Sequence, residues 1–129
     1  MIVGTGVDIV EVARVERAMR HHGDRFLRRL FTESEIEHCR GAPREAEKYA
    51  ARFAAKEAAL KALRIGWQNG VRFRDLEVEI NDMGAPSIRM RGKAREVADA
   101  RGVSCLQVSM SHERHYAVGQ VIAVGPQRG

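Results

Sequence analysis

The sequence predicts an α+β fold, a mainly antiparallel sheet packed against one long and several short helices, in a single domain over residues 1–129. Three observations carry this. The opening MIVGTGVDIV reads as a strand. The closing segments VSCLQVSMS and YAVGQVIAV, joined through HERH, read as a β-hairpin. Between them stands an alanine-rich helix, PREAEKYAARFAAKEAALKALR. Strands and helices are partly segregated along the chain, which argues against a doubly wound parallel sheet.

The first strand is unusual. Alternation places Ile2, Gly4, Gly6, Asp8 and Val10 on one face and Val3, Thr5, Val7 and Ile9 on the other. The second face reads as ordinary core, whereas the first is nearly bare and carries a carboxylate. Glycine inside a strand marks a close approach of another backbone or a ligand. Asp8 also precedes Glu11 by capping-box spacing, so the residues alone allow it to be a helix N-cap or a functional carboxylate.

Helical spacing of Val12, Val15 and Met19 predicts an amphipathic helix over 11–22, ended by Gly23. A short helix follows over 24–31. Thr32 and Glu35 form a capping box that opens a third helix over 32–40. Pro43 suits the first turn of the long helix, 43–64, and alanine recurs through it, so a neighbouring backbone can pack closely. Gly66 and Gly70 break it. Phe73, Leu76, Val78 and Ile80 mark a strand over 73–80; a turn, a short strand over 87–90 and a helix over 92–102 lead to the final hairpin.

Hydrophobic content of 44% and charged content of 30% describe a soluble globular chain. No apolar run approaches the roughly 20 residues of a membrane span, and no secretory signal opens the chain. Cys39 and Cys105 form neither a metal-ligand set nor a disulfide framework, which suits a reducing, cytoplasmic location. The net charge of +5 implies an anionic partner. Its excess is concentrated where Arg14, Arg17, Arg20, Arg25, Arg28 and Arg29 face only Glu16 and Asp24. Nucleic acid, an acidic protein or a phosphorylated small molecule each fit that charge. Against nucleic acid, the basic segment has only Phe26 and Phe31 as aromatics and no recognised binding motif.

At 100° per residue, Ala50, Phe53, Ala54, Glu57, Lys61 and Arg64 share one face of the long helix, with Lys56 well round the side. As a plain surface pair, Glu57 and Lys61 contribute about 0.2–0.5 kcal/mol. Such a pair needs no phenylalanine and alanine floor around it. If Asp8 and Glu57 converge, their repulsion protonates one of them unless a cation sits between. Mg²⁺ fits, because it takes one or two carboxylates and completes its shell with water and substrate phosphate. Lys61 then offers a point charge to the same phosphate.

Near the C-terminus, Ser109, Ser111 and His112 cluster at a strand end, where His112 reads either as a turn residue or as a group poised near neutral pH. No Gly-x-Ser-x-Gly elbow is present. Cys105 lies opposite Leu106, Val108 and Met110 and reads as packing. The mixed face it shares with Gln107, Ser109 and Ser111 is either solvated or packed against another chain.

The segments GTGVDIVEVAR, RFAAKEAALKA and VSMSHERHYAV occur in the order and at the spacing of the holo-[acyl-carrier-protein] synthase family, the short bacterial class of 4′-phosphopantetheinyl transferases. The chain resembles that family over essentially its whole length. The resemblance implies Mg²⁺-dependent transfer of 4′-phosphopantetheine from coenzyme A to a serine of apo-acyl carrier protein, releasing adenosine 3′,5′-bisphosphate in support of fatty acid biosynthesis. It places the metal on Asp8 and Glu57, with Lys61 beside them. It assigns Arg52, Lys61, Gly84, Pro86, Ser111 and His112 to coenzyme A, and Arg14, Arg25 and Arg29 to the acidic carrier. It also implies a homotrimer with sites between subunits. Two departures stand out: Leu63-Arg64-Ile65-Gly66 where the family often has Leu-Gly-Thr-Gly, and Gly84-Ala85-Pro86 where Gly-Lys-Pro is usual. The second loses a cation, for which Arg64 is a candidate replacement. Two rivals are a basic nucleic-acid-binding domain and an inactive carrier-binding subunit.

Overall fold

Glycines in the first strand let a helix lie almost on its backbone, and this contact organises the molecule. The computed structural model describes residues 1–66 and 70–127. Strand β1 (Ile2–Glu11) leads into α1 (Val12–His22), α2 (Asp24–Leu30), α3 (Glu33–Cys39) and the long α4 (Glu45–Ala62). A 3₁₀ turn (Phe73–Asp75), the hairpin β2 (Leu76–Ile80) and β3 (Pro86–Met90), α5 (Gly92–Ala100), and the hairpin β4 (Cys105–His112) and β5 (Tyr116–Val124) complete the order among the described residues. The architecture is α+β, as the element order predicts.

β1, β5 and β4 form an antiparallel sheet in that spatial order, and β2–β3 form a second, two-stranded one. In the larger sheet Asp8 stands opposite Gly119 and His112 opposite Ala117. α4 crosses β1 and β5. A Cβ on Gly4 would collide with the carbonyl of Ala62, one on Gly6 with that of Ala58, and one on Gly119 with the backbone of Ala54 and Ala55. The alanine face of the helix and the bare face of the sheet are two halves of one close contact.

This overturns one sequence expectation. The face of Val3, Thr5, Val7 and Ile9 reads as core, yet Val7 is 58% and Ile9 64% exposed, and only Val3 packs against the interior. The bare face is the buried one. Period-two alternation identifies the two faces of a strand, but the depth of burial belongs to whichever face a neighbour can approach. Asp8 as a helix N-cap is excluded as well, because the strand continues to Glu11, and Glu11 stands at the N-cap without a side-chain capping bond.

Two apolar clusters flank α4. One joins its C-terminal half to β2, β3, α5, β4 and β5; the other joins its N-terminal half to α1, α2 and α3, with Phe31 against Tyr49 at 5.0 Å between ring centroids. The predicted capping box forms: Glu35 N donates to Thr32 Oγ1 at 3.3 Å, and Thr32 N donates to Glu35 Oε1 at 2.8 Å. The long helix starts at Glu45, later than predicted, because Arg44 adopts a left-handed conformation, φ 57°. Residues 73–75 turn instead of extending, so the strand there is shorter than its apolar pattern suggests. After α4, Arg64 also has φ 57°, at the place where the resembled family often has glycine. Arg101 donates to the carbonyls of Leu63 and Arg64, satisfying the end of the helix.

Candidate active site

β1 and α4 each present one carboxylate at their contact. Asp8 sits in mid-strand, its side chain one-fifth exposed, and Lys61 Nζ donates to Asp8 Oδ1 at 3.1 Å and to the Val7 carbonyl at 2.9 Å. Glu57, one helical turn before Lys61, has its pKa raised above the usual carboxylate range. Burial is the main cause, the nearby Asp8 charge adds to it, and Lys61 opposes it. The two carboxylates therefore do converge, and they do so closely enough to feel each other.

A cleft of about 450 Å³ opens at this point, lined by Asp8 through Glu11 of β1, Arg14 and Val15 of α1, Phe26, Phe53 and Glu57. A smaller pocket of about 110 Å³ lies on the other side of Glu57, between Leu60, Lys61, Ile65, Gly66, Val71 and Phe73. Glu57 is the wall common to both. Phe53 and Phe73, one in each lining, meet at 5.6 Å between ring centroids.

The donor set suits a hard divalent cation. Among the described residues no three His, Cys, Asp or Glu side chains gather as ligands, and Asp8 and Glu57 are the two carboxylates that line this cleft beside Glu11. That is the set expected of Mg²⁺, which keeps waters and accepts phosphate oxygens, and not of a structural Zn²⁺ or an all-protein Ca²⁺ cage.

Of the other residues singled out in the sequence, Arg14 joins the cleft, and Arg25 and Arg29 lie exposed on α2, without an ion pair among the described residues. The rest lie elsewhere in the chain. His112 Nδ1 pairs with Glu47 Oε1 at 3.0 Å in the first turns of α4, about 15 Å along the helix from Glu57 at 1.5 Å per residue. Ser111 is exposed beside it. Gly84, at φ 82°, and Pro86 lie at the β2–β3 turn and line neither cleft. Arg52 is only 5% exposed; its guanidinium donates to the Lys48 carbonyl at 3.2 Å, while its Nε is buried without a partner.

One constellation escaped the sequence reading. Lys56, expected at the side of the helix, is fully buried and bonded to Glu35 at 2.7 Å. The available signal was Glu35 itself, a capping-box carboxylate with a second oxygen to satisfy.

Residues 4–121 match the family model of the 4′-phosphopantetheinyl transferase superfamily. The chain belongs to this family. Among curated relatives, the holo-[acyl-carrier-protein] synthase of Halorhodospira halophila is 50% identical over 96% of this chain and 98% of its own. That of Koribacter versatilis is 46% identical over 95% of this chain and 98% of its own. Among solved structures, the Neisseria meningitidis holo-[acyl-carrier-protein] synthase superposes with a TM-score of 0.87 at 31% identity, covering 96% of this chain and 99% of that one. The Helicobacter pylori synthase in complex with coenzyme A gives 0.81 at 31% identity, covering 93% and 99%. Membership in this family agrees with the expected fold.

Proposed function

We propose that the protein transfers 4′-phosphopantetheine from coenzyme A to a serine hydroxyl of apo-acyl carrier protein, with Mg²⁺ on Asp8 and Glu57, releasing adenosine 3′,5′-bisphosphate. The observation that carries this reading is that Asp8 and Glu57 line one cleft while Lys61 is bonded to Asp8. The serine oxygen forms a bond to the phosphorus bearing pantetheine, the bond from that phosphorus to the bridging oxygen breaks, and the nucleotide leaves with that oxygen. Bound there, Mg²⁺ supplies neutralisation of the diphosphate and of the charge on the leaving phosphate. Lys61 contributes a mobile ammonium that moves from Asp8 to a phosphate oxygen. Glu57 receives the serine proton through a water. Arg14, on the cleft wall, and Arg25 and Arg29 beyond it attract the acidic carrier and align its serine.

The active unit is a homotrimer with sites shared between chains. The outer face of the larger sheet supports this, because Val7, Ile9 and Tyr116 at 58%, 64% and 49% exposed form an apolar patch of the kind that marks an interface. The position of His112, Ser111, Gly84 and Pro86 outside the lining of the Asp8 cleft supports it too, since residues that hold one coenzyme A then come from two chains. No described helix is long and apolar enough to cross a membrane; the enzyme acts in the cytoplasm, in service of fatty acid biosynthesis.

The test is incubation with coenzyme A, Mg²⁺ and apo-carrier, followed by intact-mass measurement. The carrier gains one phosphopantetheine group, and chelation of the metal stops the gain. Mixing an Asp8→Ala chain with a His112→Ala chain restores activity if sites are shared. A fully active species near 14 kDa by light scattering overturns the shared site.

A further inference from the structure

We infer that Lys56 and Glu35 are positioning residues of the metal site, holding the aromatic wall against Glu57; this rests on the proposed function above. Neither side chain has any exposed surface. Lys56 Nζ donates to three acceptors on three separate segments: Glu35 Oε1 on α3 at 2.7 Å, the Leu30 carbonyl at the end of α2 at 2.8 Å, and the Phe73 carbonyl before β2 at 3.1 Å. An ammonium has three donors, so the tripod is complete. Glu35 is equally committed, because it also accepts from Thr32 N at 2.8 Å and from Val78 N at 2.8 Å inside β2.

Such a node is not needed for a stable core. A buried ion pair is often matched or bettered in stability by apolar residues of the same volume, whereas each member becomes costly once the other is lost. Its surroundings here, Phe31 under the ammonium at 5.2 Å and alanines along α4, are apolar already. What the node adds is direction. It fixes the carbonyl of the residue whose ring, with Phe53, walls the two pockets that meet at Glu57, and it does so from the position next to Glu57 on the helix. Outer groups that orient metal ligands typically change metal affinity or activity 10- to 100-fold when removed.

The experiment measures Mn²⁺ binding to the full chain by electron paramagnetic resonance, alongside melting temperature, kcat and KM for coenzyme A. Asp8→Asn serves as the control and loses Mn²⁺. The double variant Lys56→Met/Glu35→Gln removes both charges and keeps one acceptor oxygen, for Thr32 N or for Val78 N, which bond different oxygens of Glu35. It is expected to bind Mn²⁺ about 10- to 100-fold more weakly and to lose kcat in proportion, with KM for coenzyme A within about twofold. Phe73→Ala gives the same weakening, and combining it with Lys56→Met/Glu35→Gln adds little further, because both act through one wall. If the charge-free variant does not fold, Phe73→Ala alone decides. Wild-type Mn²⁺ affinity in folded Lys56→Met/Glu35→Gln, or in Phe73→Ala, overturns the positioning role while leaving the metal site intact. Unchanged Mn²⁺ binding by Asp8→Asn overturns the metal site and the positioning role together.

Discussion

α4 carries two lysines five residues apart that form ion pairs of opposite kinds. Lys56 is sealed, with every donor used and Glu35 just as enclosed. Lys61 is half exposed, and its partner Asp8, at 3.1 Å, lines an open cleft. Near solvent the Coulomb energy of a pair is small and its partners exchange easily; in the interior both the attraction and the cost of separation are large. The same residue type thus serves as a fixed joint in one place and as an exchangeable cation in the other. Chemistry that must accept and release a phosphate needs the second kind.

The largest effect that tests this contrast comes from the exposed side. Asp8→Ala or Glu57→Ala is expected to reduce transfer by more than about a hundredfold while circular dichroism shows a folded chain, since either change leaves the cation short of a ligand. Near wild-type transfer with Mg²⁺ present would falsify the metal assignment.

Next come the lysines themselves. Lys56→Met strands a buried carboxylate and should cost about 3–5 kcal/mol of unfolding free energy, measured with denaturant. Lys61→Met should cost less than about 1 kcal/mol, yet lower kcat by at least about tenfold. A reversal of that order, stability lost at Lys61 and retained at Lys56, breaks the comparison.

Salt separates the two environments further. Charge reversal at Arg14 and Arg25 should raise KM for carrier about tenfold with little change in KM for coenzyme A, and wild-type carrier binding should weaken as salt shortens the Debye length to about 8 Å and below. The melting temperature, set partly by the sealed pair, should respond much less. Equal rises in both KM values would assign these arginines to the coenzyme A pocket.

The smallest effect is one of pH. Burial and Asp8 raise the pKa of Glu57 in the folded, metal-free chain, so the fold loses stability as pH rises through that raised value. Glu57→Gln removes the penalty. It should raise the melting temperature of the metal-free protein by about 1–3 °C at pH 7.5, with the gain vanishing below about pH 4, where both side chains are neutral. A lower melting temperature for the variant at pH 7.5 would show that Glu57 is not under electrostatic strain.

Much of this was legible in the residues. The order of elements and the Thr32–Glu35 box follow from local spacing, because capping, turn chemistry and helical phase act over a few residues; the pairing of Asp8 with Glu57 was open from spacing and came from the family resemblance. The burial of Lys56 was not legible, since its partners lie 17 to 26 residues away in sequence and helical phase says nothing about what packs there. The inverted burial of β1 escaped for a related reason. A face without side chains looks empty in sequence, although emptiness is what admits a helix.

That close contact between β1 and α4 has a consequence for how precisely the site is held. Gly4 and Gly6 meet the carbonyls of Ala62 and Ala58 with no side chain between them, so the distance between the strand bearing Asp8 and the helix bearing Glu57 is gauged by main-chain atoms. Rotamer changes, which blur most side-chain-mediated spacings, do not enter it. The two carboxylates stand on either side of a slot of set width, and any substitution that widens the slot acts on both at once.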